Sequence, residues 1–170
     1  DKGNWQLQTS STAAMLSTLG KSIRYKTPIV ITGWTPHWMF TKYKLKFLKD
    51  PKNIYGKTEH INTIVRKGLK QDKPEAYQLL NRFNWRPKQM SSVMLKVNHG
   101  ESPRKAANDW IRENRQQVDS WTKGIKHVHG QSIKLTYVAW DSEIASTNVV
   151  ANALRLLGYK AVSYTHLTLP

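Results

Sequence analysis

The 170-residue chain contains no cysteine, which excludes a disulfide framework and any thiolate-held metal centre. No apolar run approaches the roughly 18 residues needed to cross a bilayer. The Gly-rich phosphate loops, the His-Glu motifs of zinc hydrolases and the G-x-S-x-G nucleophile elbow are all missing. The start, Asp1-Lys2-Gly3-Asn4-Trp5, has neither a Met nor a basic-then-apolar leader. The expectation is therefore a signal peptide that was removed or never included.

Negative charge is also scarce: 11 Asp and Glu stand against 27 Lys and Arg, a formal net charge of +16. The excess is uneven. Residues 1–130 hold 24 of the 27 basic and 9 of the 11 acidic side chains. Such a surface suits phosphate neutralisation, hence nucleic acid, or a solvated basic face turned to an anionic membrane or cell wall. No zinc-finger, RRM or basic-zipper signature accompanies it. The hydrophobic fraction of 39% is enough for a real core.

The stretch Pro28-Ile29-Val30-Ile31-Thr32-Gly33-Trp34-Thr35-Pro36-His37-Trp38 stands out. Its β-branched run reads as a short strand buried on both faces, released by Gly33 into a turn. Alternation predicts a strand at Trp5–Gln8. Ser10, Ser11 and Thr12 offer caps to a helix through Leu19, so the first 34 residues read as β-α-β. A helical turn follows at Met39–Tyr43, with further strands at Lys44–Leu48 and His60–Arg66. Three helices open at Pro74, Pro87 and Pro103, the last running through Trp110 and Trp121 to stop near Gly124. The polar break at 126–131 is the best candidate for a boundary. Beyond it, Ile133–Val138 is a strand, Ile144–Leu157 a helix closed by Gly158, and Tyr159–Val162 the start of another strand.

Two predicted buried strands thus end in turns that carry a tryptophan, Trp34 and Trp140. A single tryptophan in that place reads as packing, because aromatic bodies dominate core energetics. Two in the same topological position suggest walls of an aromatic box. Such a box holds a quaternary ammonium through cation–π attraction, since that ion has no N–H to donate. Trp110 and Trp121, eleven apart, read as core; Trp5, Trp38 and Trp85 have no arguable partner. Catalytic alternatives are thin. His37 lacks a paired nucleophile or orienting group. Asp141 and Glu143 read as complements to a helix N-terminus. His127 and His129 lack a third metal ligand.

The run Ile31-Thr32-Gly33-Trp34-Thr35-Pro36-His37-Trp38-Met39-Phe40, with Tyr137-Val138-Ala139-Trp140-Asp141-Ser142-Glu143-Ile144-Ala145-Ser146-Thr147-Asn148, closely resembles the substrate-binding proteins of glycine betaine ABC importers. Ser11–Met15, Arg66-Lys67-Gly68 and Trp121–Gly124 are similar to family sequence in family order. The resemblance implies an α/β, type II periplasmic-binding-protein fold, with one lobe nearly complete and the opening β-α-β of the second. The implied division is 1–126 for the first lobe, without its N-terminal strand and loop, 127–130 for the crossover and 131–162 for the second lobe. Residues 163–170 depart from the family and are expected to be a non-native tail.

By motif match the resemblance makes Trp34 and Trp140 two of three tryptophan walls around a trimethylammonium head, with Pro36, His37 and Asp141 as supporting residues behind them. It implies no catalysis, cofactor or metal. The ligand would be glycine betaine or a similar betaine, taken up for osmoprotection. The partners would be the membrane permease and ATPase subunits, and the location the extracellular membrane face or the periplasm. The alternative carried beside it is a basic nucleic-acid-binding module.

Overall fold

The structure is a computed structural model that describes residues 4, 6–56 and 60–165. Two compact units divide the chain, residues 1–35 and residues 36–170. The polar stretch 127–130, read above as a crossover, lies inside the second unit.

The first unit is built on helix α1, Thr12–Tyr25. Ser11 caps it, its hydroxyl accepting the Ala14 N–H at 3.2 Å. Lys26 ends it in the left-handed region at φ 56°. Leu19 is its fully buried residue. The following segment, 28–32, is a correction to the sequence reading: it is irregular and at most half-buried, not a strand covered on both faces. Gln6–Gln8, 44–48 and 60–66 are likewise irregular where strands were expected, and Trp5 lies outside the described residues. The physical reason is shared. β-branched alternation makes a segment compatible with a sheet, but a strand exists only where a neighbour completes its ladder. Among the described residues none pairs with these four segments.

The second unit begins with two short helices, α2, Met39–Lys42, and α3, Leu69–Asp72. Helices α4, Pro74–Arg82, α5, Pro87–Asn98, and α6, Pro103–Glu113, each start with proline at the first position, where a missing N–H costs nothing. The expected long third helix is in fact two. Asn114 breaks it (φ −118°, ψ 35°), its amide Nδ2 donating to the Trp110 carbonyl, and α7 runs Arg115–Thr122. Trp110 and Trp121 nevertheless stack at 6.0 Å in the core, on different helices, with Phe83 and Trp85 edge-on to them.

Strand β1, Ser132–Thr136, and strand β2, Lys160–Tyr164, form a parallel pair. Parallel strands require a long crossover, which here is helix α8, Asp141–Leu156. Register places Ile133 beside Ala161, and these are the buried residues of the two strands. Ser163 and Tyr164 complete β2. Helix α8 packs on α5, α6 and β2, burying Ala145, Val149, Val150 and Leu154. Each such aliphatic burial is worth about 1.5–3 kcal/mol for the larger side chains. The result is a stable platform that presents the turn 137–141 at one end of α8.

Candidate ligand-binding site

The turn at Pro36–Met39 is buried throughout, although it lies beside an exposed tryptophan. His37 is 2% exposed and Trp38 is 5% exposed, whereas Trp34 is 46% exposed. His37 Nδ1 accepts the Met39 backbone N–H at 3.2 Å, which fixes the ring's proton on Nε2 in the neutral form. Burial pushes the imidazole pKa below its ordinary value, opposed by the Asp141 carboxylate. The Ser91 hydroxyl of α5 donates to the His37 carbonyl at 3.4 Å, tying the turn to the helix behind it.

Trp140 stands at the N-cap of α8 and is 66% exposed. Its backbone is held on both sides. Trp140 N–H donates to the Val138 carbonyl at 2.7 Å, and its own carbonyl accepts from Ile144 N–H at 2.9 Å. The next residue, Asp141, joins the two motifs. Its Oδ2 accepts the Trp38 indole N–H at 2.9 Å and lies 3.8 Å from His37 Nε2.

Trp38 is the residue that the sequence reading missed. No local signal could have found it, since its partner lies 103 positions away. The structure therefore brings together Pro36, His37, Trp38, Trp140 and Asp141 within the second unit, and Trp34 belongs to the first. His127 and His129 lie 6.4 Å apart, with His127 Nε2 2.9 Å from the Leu156 carbonyl. Among the described residues no group of three or more His, Asp or Glu is placed to hold a metal ion. No described helix is long and apolar enough to cross a membrane.

Parallel strands joined by a crossover helix beside a helical body fit part of a type II periplasmic-binding fold, and that is the class of protein to which the fold belongs. The profile of the substrate-binding domain of ABC-type glycine betaine transport systems matches residues 2–113. The glycine betaine/carnitine transport binding protein GbuC of Listeria monocytogenes serotype 1/2a (strain 10403S) is 66% identical over 160 residues, 94% of this chain and 53% of that protein. The crystal structure of lactococcal OpuAC, closed and complexed with glycine betaine, is 52% identical with a TM-score of 0.62. That match covers 71% of this chain and 47% of the other. The chain belongs to the family of substrate-binding domains of ABC-type glycine betaine transport systems. It spans about half the length of the relatives it matches.

Proposed function

We propose that the chain is part of the solute-capturing component of an ABC importer, taking glycine betaine or a related quaternary ammonium osmolyte. Trp34 and Trp140 would each offer an indole face to the methylated ammonium, with Pro36, His37 and Asp141 supporting the turns. The observation that carries this reading is the contrast among the tryptophans. Trp38, Trp110 and Trp121 are 5%, 2% and 1% exposed, whereas Trp34 and Trp140 are 46% and 66% exposed. Indoles exposed to that degree at two motif positions are open enough to meet a cation. GbuC is named a transport binding protein and OpuAC is seen complexed with glycine betaine, so capture and release is proposed, with no chemistry done on the ligand. The same reading gives permease and ATPase subunits as partners and a site outside the cytoplasmic membrane, by lipid anchor or permease fusion.

The test is calorimetric titration with glycine betaine of this sequence continued to the length of its relatives. Micromolar-range binding is expected. Trp34→Ala or Trp140→Ala should each weaken it by about 2-fold to 30-fold, the equivalent of one cation–π wall. The 170-residue chain alone should bind far more weakly. Unchanged affinity in both variants would reject the two walls. Retention on heparin with a steep salt slope, and no betaine binding, would favour the nucleic-acid reading instead.

A further inference from the structure

We propose that Trp38 is a positioning residue: its indole N–H clasps the Asp141 carboxylate beside the His37 ring and thereby restricts the direction of the neighbouring Trp140 indole. The inference rests on the reading of Trp140 as a ligand wall and supplies a way to hold an exposed wall in place.

An indole with two-thirds of its surface in water has little packing to fix its rotamer. The backbone that carries it then fixes its Cα–Cβ vector and limits its χ1 rotamers. That backbone is the first residue of α8 and the turn before it, and α8 starts without a side-chain cap from its own N-cap residue. What anchors the start instead is Asp141, in the first helical position. Its Oδ2 receives the Trp38 N–H at 2.9 Å, and the protonated Nε2 of His37 faces the same oxygen at 3.8 Å. Among the described residues the Trp38 N–H thus makes the one hydrogen bond to this carboxylate oxygen, and the His37 ring from the same buried turn lies beside it without bonding it.

The donors are themselves fixed. The Trp38 ring lies 5.2 Å from the His37 ring and 6.4 Å from that of Tyr43, with the Lys42 ammonium 5.2 Å over its face. His37 is held by Met39 N–H and, through its carbonyl, by Ser91. Helix-dipole compensation alone would need only the charge of Asp141 near the N-terminus. A directed, charge-assisted hydrogen bond from a buried indole adds a constraint on geometry that the dipole does not require.

The experiment labels the indole nitrogens of the 170-residue chain with ¹⁵N and reads the order parameter of the Trp140 side chain. Trp38→Phe keeps a six-membered aromatic ring and removes the N–H donor together with the pyrrole ring that carries it. Asp141→Ala removes the acceptor from a side chain that is half exposed, and it serves if Trp38→Phe does not fold. Asp141→Asn keeps an acceptor oxygen. The proposal expects Trp140 to lose order in the first two variants and retain it in Asp141→Asn, with native backbone spectra in all three. The Trp38→Phe/Asp141→Ala double variant should lose no more than either single one. An unchanged Trp140 order parameter in folded Trp38→Phe or Asp141→Ala overturns the clasp. In the extended, ligand-binding protein, Trp38→Phe should weaken glycine betaine binding roughly threefold to tenfold at temperatures where its melting curve shows it still folded. If the wild type binds no betaine, the ligand-wall reading fails while the relaxation measurement still decides the clasp.

Discussion

A Cβ placed on Gly158 would lie 1.8 Å from the carbonyl oxygen of Val128. Gly158 sits at φ 92°, closing α8 with a Schellman pattern: its N–H bonds Arg155 O at 2.9 Å, and Tyr159 N–H bonds Leu154 O at 3.1 Å. Two requirements meet there, a left-handed backbone and room for the passing segment 127–130. The neighbouring segment pairs with this end of the helix through Val128 N–H to Leu157 O and Gly130 N–H to Gly158 O.

Gly158→Ala should therefore cost more than the roughly 1 kcal/mol of an ordinary left-handed alanine. The overlap with backbone forces 127–130 away from 157–160, and the loss should reach about 3 kcal/mol or more. Urea denaturation reads it directly. A variant as stable as wild type would mean that the two segments do not run together.

Tyr159 tests a second long-range bond. Its hydroxyl accepts the buried Ala76 N–H at 3.3 Å, capping α4, whose own N-cap Lys73 makes no side-chain cap. Burial raises the phenol's pKa above its ordinary value. Tyr159→Phe leaves an unsatisfied buried N–H and should destabilise by about 1–3 kcal/mol. Calorimetric melting is the measurement, and an unchanged melting temperature would show that the cap contributes nothing.

His37 should make stability depend on pH. Its pKa in the fold is lower than the unfolded value near 6.5, with burial the larger cause and Asp141 opposing. The unfolded chain therefore binds this proton first as pH falls. Stability from His37 is complete above about 6.5 and is lost as pH drops through the folded pKa. His37→Asn, which can still accept the Met39 N–H, should flatten that part of the stability curve between pH 7 and 5. Parallel curves for the two proteins would contradict it.

The helices were legible because their signals are local. Ser11 and Ser102 each accept an N–H three residues on, and Pro74, Pro87 and Pro103 each open a helix where the sequence placed it. Gly158 marked the end of α8 on the same basis. The strands at 28–32, 44–48 and 60–66 were not legible, because pairing is a property of two segments and the local pattern records only one. The break at Asn114 was hidden for another reason: the apolar spacing of Trp110 and Trp121 satisfies the core whether one helix or two carry it. At the proposed site, the sequence motif points to Trp34 and Trp140, whereas the Trp38 hydrogen bond depends on Asp141, and no periodicity connects them.

The β1–β2 ribbon has a further consequence, and it is colloidal. Among the described residues each strand has one neighbour, so each keeps one open edge, and Val162 and Tyr164 on β2 are 42% and 46% exposed. Open edges of this kind are templates for another copy. The net charge of +16 opposes such pairing, a repulsion that added salt screens within about 10 Å at 0.1 M. The purified chain should consequently stay monodisperse in dilute buffer and grow in light-scattering radius as salt rises, opposite to a protein held together by ion pairs.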